Sequence, residues 1–289
     1  MNSECIVDRH AYCIMAHGNW TQLQILLNCI DDYRNDIYLH IDAKGLKSFN
    51  NWGGKLSCNF SKLTCIESED VRWSDISQTD VEVNLFKKVI EGGRYNYVHL
   101  LSGSDLPLKS QDEIHDFFEG RHEEFVDIQQ NDDAVRRLKY YHYFVRWRKI
   151  YPWLDVVRKT FLLVQMPFVN RLRNCPLPFA YGANWCSLTG NAVVEIVNKY
   201  KELRSFFKYT TSSDESYKQM ILLGNGNFEI AKEGFLRFVK FGEGEASPKI
   251  LTMDYYENMM DSGCLFARKF DIRIDNNVVN KVLQKLKYK

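Results

Sequence analysis

The chain reads as an α/β protein built on a mainly parallel central sheet. Its first 130 residues alternate short apolar runs with longer helix-like stretches, the rhythm of β-α-β units. Polar residues gather just past the ends of the apolar runs, where open α/β sheets bind ligands. With 45% hydrophobic and 26% charged residues over 289 positions, the chain is long enough for a full core and too well mixed to stay disordered.

Tyr12 to Ala16 is the first predicted strand and ends in His17-Gly18-Asn19; a helical stretch follows through Cys29. Ile37 to Ile41 is the second strand, ending at Asp42, and Leu63 to Ile66 is a short third. An amphipathic helix is predicted from Ser77 to Glu91, stopped by Gly92-Gly93. Tyr97 to Leu101 is the fourth strand and runs into Ser102-Gly103-Ser104-Asp105. Further on, helices are predicted from Asn191 and from Ser212, a strand over Leu236 to Phe241, and helices over Thr252 to Met260 and Asn277 to Leu286. With no convincing linker, residues 1–289 are expected to form a single domain of two halves, about 1–130 and about 131–289.

The formal charge of +1 provides no global field to recruit nucleic acid. Locally, Arg136 to Arg173 holds ten Lys or Arg against one acid, Asp155, interleaved with aromatic residues. That stretch fits a helical hairpin with charged stems, an acceptor-sugar surface, or a contact with anionic lipid headgroups. Nucleic acid is the weakest reading, since no binding motif accompanies the charge. The start MNSECIVDRHAYC has no basic stretch followed by a long apolar run, and nowhere do about 18 apolar residues follow one another. A cytosolic chain is therefore expected, in peripheral contact at most with the inner face of the membrane. Eight cysteines without a C-x-x-C read as buried free thiols in a reducing compartment, and the lack of closely spaced Cys or His pairs argues against zinc.

Ser212-Ser213-Asp214-Glu215 has the S-x-x-E spacing of a capping box, so its first reading is a helix start. Its second reading is chemical: a carboxylate in a loop-to-helix corner can face a cleft, and a glutamate is ionised at neutral pH and ready to take a proton. Asp42 and Asp105 follow strands where a nucleotide's hydroxyls are held, although Asp favours such corners in any protein. No two aspartates are separated by a single residue, so the Asp-x-Asp pair that holds a metal in many nucleotide-sugar transferases is missing. The charge of a leaving diphosphate then falls to Lys or Arg, and Lys249 and Lys269 are candidates.

At these residues the chain resembles the family of core-2 and I-branching β-1,6-N-acetylglucosaminyltransferases and peptide O-xylosyltransferases, as a compact bacterial-type member. The resemblance runs from Tyr12 to Asp271 through YCIMAHGN at 12–19, IYLHIDAK at 37–44, VRWSDISQ at 71–78, YVHLLSGSDLPLKS at 97–110, SSDES at 212–216 and LFARKFD at 265–271. It implies a GT-A-like fold around a Rossmann-like sheet, inversion at the anomeric carbon, and no metal or other cofactor. Glu215 matches the family's catalytic base and Lys269 its diphosphate-binding lysine; Lys249 falls near a second diphosphate position. His17, Asp42, Arg72, Trp73 and Asp105 lie in segments that resemble the donor pocket. Arg136, Arg137, Lys139 and Phe241 lie where branching enzymes contact the acceptor. The implied partners are a UDP-sugar donor, GlcNAc or xylose, and a glycan or lipid-linked oligosaccharide acceptor. A non-catalytic carbohydrate- or nucleotide-binding protein and a glycoside hydrolase are the alternatives; the latter needs two carboxylates about 5–10 Å apart.

Overall fold

A computed structural model describes residues 8–129, 132–147, 150–245 and 247–287. Cys5, Arg148 and Lys149 lie outside the described residues.

Strand β1 (His10–Ala16) leads into helix α1 (Trp20–Ile30), strand β2 (Asn35–Ile41), the short helix α2 (Leu46–Trp52) and strand β3 (Lys62–Cys65). Helix α3 (Ile76–Gly92) follows, then β4 (Tyr97–Ser102), β5 (Leu106–Pro107), α4 (Gln111–Phe118), α5 (Asp132–Lys139) and α6 (Trp153–Gln165). The remainder comprises β6 (Cys186–Thr189), α7 (Gly190–Phe207), α8 (Tyr217–Asn225), β7 (Arg237–Val239), α9 (Tyr256–Met260), β8 (Phe266–Arg268) and α10 (Asn276–Lys287).

The central sheet has the order β3-β2-β1-β4-β6, with only β6 antiparallel. Every residue of β2 and β4 is buried, as expected of parallel strands covered on both faces. Their side chains divide with the period of two. Tyr12, Ile14, Ile37, Leu39, Tyr97 and Leu101 join one core with α1 and α10, whereas Cys13, Tyr38, Val98 and Leu100 join another with α3, α7 and α8. The predicted parallel α/β sheet is therefore present.

Local chemistry sets the helix ends. Asn19, in the left-handed region at φ 52°, caps α1 by accepting from the Gln22 amide. Asp75 caps α3 in the same way, and Ser110 with Glu113 forms a capping box on α4. The predicted cap at Ser212 is not formed: its hydroxyl makes no capping bond, residues Ser213–Glu215 make a single 3-10 turn, and α8 starts at Tyr217. The expected strand over Leu236 to Phe241 is shortened to β7, with Phe241 bridged to Pro248.

A second sheet, β5-β8-β7, joins the two halves of the chain, because β5 from the first half pairs antiparallel with β8 from the last. Cys13, Cys58, Cys65, Cys175, Cys186 and Cys264 are free thiols as expected, but only Cys13 and Cys186 are buried and Cys65 is exposed, so the expected burial holds only in part. Among the described residues no helix is long and apolar enough to cross a membrane.

Candidate active site

The carboxyl ends of β1, β2 and β4 lie side by side, since Ala16 is level with Ile41 and Met15 with Ser102. The loops that leave them therefore form one rim. The Asp42 amide donates to the Ala16 carbonyl at 2.8 Å and the Gly103 amide to that of Met15 at 2.9 Å. The β1 and β4 ends pack so closely that a Cβ on Gly103 would lie 3.0 Å from that of Ala16. His17 is exposed on this rim; Asp42 is buried and accepts from the amide and the ammonium of Lys44.

Asp105 is fully buried and accepts from the amide and the hydroxyl of Ser102. Burial raises its pKa, a rise that Arg268, whose Nε lies 3.3 Å from Oδ1, offsets only in part. The Arg268 guanidinium in turn stacks 4.1 Å from the Trp185 ring centroid. Neither Arg268 nor Trp185 was singled out in the sequence, where a lone arginine beside Lys269 carries no signal of its own.

Lys269 is anchored by its neighbours. The Phe270 amide donates to the Ser104 carbonyl at 2.8 Å, and Asp271 accepts from the Asn19 side chain at 2.9 Å. The half-buried Lys269 therefore sits between the loops that follow β1 and β4. Its carbonyl accepts from the Leu251 amide, two residues beyond the exposed Lys249, so both lysines lie on adjoining segments. Phe241 is exposed on the same hairpin as Lys249, whose amide donates to Lys240.

The loop between β3 and α3 reaches across to Glu215. Asp70 accepts from Lys44, Arg72 and Arg146, which fixes Arg72 beside the half-exposed Trp73. Ser74 and Ser212 both take left-handed backbone conformations, at φ 69° and 53°. The Ser212 amide donates to the Ser74 carbonyl at 2.8 Å, and their hydroxyls lie 2.6 Å apart. Ser74 thus occupies the hydroxyl that the sequence motif assigned to a helix cap.

Adjacent Asp214 and Glu215 have opposite surroundings. Asp214 is buried and accepts from Gln78 at 2.7 Å; burial foremost, and then the neighbouring Glu215, pushes its pKa well up. The Glu215 side chain is about one-third exposed, and its Oε2 lies 2.5 Å from Arg137 Nη1. Arg137 also lies over the Tyr181 ring. A buried network holds the turn from below: Lys218 pairs with Glu82 at 2.8 Å, Tyr217 and Asn184 donate to Glu82, and Lys218 also reaches Asn184 and the Asp214 carbonyl.

The geometry therefore gathers His17, Asp42, Asp105 and Lys269 on one rim, with Arg72 and Trp73 tied through Ser74 to the loop that carries Glu215. Of the candidate acceptor residues, Arg137 contacts Glu215. Arg136 is exposed on the same helix, and Lys139 lies over Tyr140. Such a site offers a partly exposed carboxylate held by a guanidinium, two lysines on adjoining segments, and hydrogen-bonding groups at the strand ends.

Against known proteins, the family model described as Core-2/I-Branching enzyme matches residues 10–260. Lys269 lies beyond the matched residues. No curated protein matches the chain.

Proposed function

Because the chain belongs to the Core-2/I-Branching enzyme family, whose members are glycosyltransferases, we propose that it moves a sugar from a UDP-sugar donor to a glycan acceptor with inversion, forming a β-linkage. GlcNAc and xylose are the two candidate sugars. In this reading the acceptor hydroxyl attacks the anomeric carbon from the side opposite the nucleotide, and Glu215 takes its proton. The bond from the anomeric carbon to the β-phosphate oxygen breaks, and UDP departs with the electron pair. Lys269, aided by Lys249, meets the charge that grows on the diphosphate. Asp42, Arg72, Trp73 and His17 bind the donor, and the fully buried Asp105, expected among them from the sequence, instead holds the Ser102 corner and Arg268 beneath the rim, while Arg136, Arg137, Lys139 and Phe241 face the acceptor.

The observation that carries this reading is the setting of Glu215. It is a partly exposed carboxylate on a turn clamped to the Arg72–Ser74 loop, with Arg137 fixing one oxygen. Metal independence is part of the proposal and rests on the missing Asp-x-Asp and on the two lysines.

Calorimetric titration with UDP, UDP-GlcNAc, UDP-xylose and UDP-glucose, first in EDTA and then with manganese, tests it. UDP should bind in EDTA, and the tightest sugar nucleotide names the donor. Glu215→Gln should keep donor binding and lose nearly all transfer. Failure of every uridine nucleotide to bind would remove the transferase reading, and full transfer by Glu215→Gln would remove Glu215 as the base.

Peripheral contact with an anionic membrane, where a lipid-linked acceptor would be met, extends the proposal. Helix α6 supports it: Trp153, Val156, Leu163 and Val164 are each more than 60% exposed, and Phe168 just beyond is 86% exposed. An apolar ridge flanked by basic residues is the pattern of an interfacial helix.

A further inference from the structure

We propose that a pocket at the carboxyl end of α6, lined by Lys139, Asn170 and Arg173, binds the phosphate of a lipid-linked glycan acceptor, whose apolar tail lies along the exposed face of that helix. The inference rests on the transferase reading above and names the class of its acceptor.

Along α6 the surface is apolar and its charge is spent. Val156, Val157, Thr160, Phe161 and Val164 line a shallow depression of about 360 Å3. Thr160 is the one polar residue there, and its hydroxyl donates to the Val156 carbonyl at 3.0 Å, so the depression asks for no polar ligand. Arg158 and Lys159, on the same stretch, are held by Asp155 at 2.9 and 3.2 Å. Val156, Leu163 and Val164 remain largely exposed, and an uncovered apolar face of this kind marks a binding surface.

Beyond Gln165 the character reverses. A smaller pocket of about 110 Å3 opens beside Phe168, with Lys139 and Arg173 in its wall. Neither cation has a carboxylate partner among the described residues; Lys139 lies only over the Tyr140 ring, 5.4 Å from its centroid. Asn170 Oδ1 is buried in the same wall without a partner, and a half-turn of that amide presents its NH2 instead. Two uncompensated cations at the end of an apolar track fit an amphiphile with an anionic, oxygen-rich head, and phosphate oxygens suit both a guanidinium and an ammonium. Helix α5 relates this pocket to the catalytic turn. Arg137 meets Glu215, whereas Lys139, two residues on, leaves the opposite side of the helix and lines the pocket. The two contacts are thus separated by about one helix width, about 10–12 Å. The lipid end is held on one side of α5 while a hydroxyl further along the glycan reaches Glu215 on the other.

Calorimetric titration of the full chain with decyl phosphate, below its micelle concentration and without nucleotide, tests the site. Decyl phosphate should bind one to one, and decanol and inorganic phosphate should each bind at least about tenfold more weakly. Lys139→Gln with Arg173→Gln, and separately Val164→Glu, should each weaken decyl phosphate by about tenfold or more. Equal binding of decanol would mean an apolar surface without a phosphate site, and equal binding of inorganic phosphate an anion site without a tail; either overturns the proposal. Tighter binding of dihexanoylphosphatidylglycerol would give the pocket to a membrane lipid in place of the acceptor. No binding of decyl phosphate, or unchanged affinity in both variants, would also overturn it, and a lower unfolding temperature with unchanged affinity would show that the two cations serve only the carbonyl end of α6. The comparison of ligands uses the unaltered chain, so the proposal stays open to disproof even if a variant does not fold. Loss of this site with UDP still bound would leave the transferase reading intact, whereas decyl phosphate binding without any uridine nucleotide would strike that reading and keep the site.

Discussion

Glu215 Oε2 and Arg137 Nη1 lie 2.5 Å apart, joining a carboxylate from the turn before α8 to a guanidinium from α5 across 78 residues of chain. The pair is about one-third exposed on each side, so its value is orientation more than stability. Arg137→Ala should leave UDP affinity unchanged and lower kcat by about 10- to 100-fold, the cost of a misplaced reacting group. Equal losses in UDP binding and turnover would instead put Arg137 on the donor side.

Lys269 is held between the Ser104 and Asn19 loops by its two neighbours, so truncating it removes a charge without releasing the segment. One charge-assisted contact contributes about 1.5–3 kcal/mol, so Lys269→Ala should raise the Kd for UDP by about 10- to 100-fold. Lys249 is exposed and should cost less. Unchanged affinity for UDP in Lys269→Ala removes it from the diphosphate site.

The parallel sheet was legible because β1, β2 and β4 are short, mainly apolar runs, each followed by a polar corner. Strand β6 was not, since four residues inside a longer apolar stretch say nothing of direction; pairing with β4 decides it. Strands β5 and β8, of two and three residues, exist only through each other. At Ser212 a correct local rule lost to a tertiary partner, because Ser74 took the hydroxyl that a cap would have used. Glu215 was found through the family resemblance, whereas Arg268 on Asp105 came to light only in three dimensions.

Lys218 and Glu82 are both completely buried, and each is the other's charge partner. Lys218→Met leaves a buried carboxylate that burial already pushes toward protonation. The variant should lose about 3–5 kcal/mol in urea unfolding, and Glu82→Gln combined with Lys218→Met should recover part of that loss. Additive losses in the double variant would mean that the two residues stabilise the turn separately.

Glu124 links stability to pH. Its carboxylate is buried and accepts from the amide and hydroxyl of Thr189, yet burial outweighs those bonds and raises its pKa from 4.5 to about 7. A raised carboxyl favours the folded state while protonated, so its contribution is complete below pH 4.5 and is lost as pH rises towards 7. The loss amounts to about 3 kcal/mol at neutral pH. Glu124→Gln should therefore flatten the stability curve between these values and be more stable than the parent at pH 8. Parallel curves for the two proteins would show that Glu124 does not titrate in this range.

The exposed ridge of α6 separates two ways of meeting a membrane. Arg158 and Lys159 both lean on Asp155 within the helix, so part of the basic charge is already neutralised, and Leu163, Val164 and Phe168 remain uncovered. Each basic residue near an anionic surface contributes about 1 kcal/mol and is screened by salt, whereas apolar insertion is not. The chain should co-sediment with phosphatidylserine-containing vesicles at low salt and keep a salt-resistant fraction that Leu163→Glu with Val164→Glu abolishes. Binding that vanishes entirely with salt, and is indifferent to those substitutions, would assign the contact to charge alone. Absence of co-sedimentation at low salt would leave the acceptor to be sought among soluble glycans.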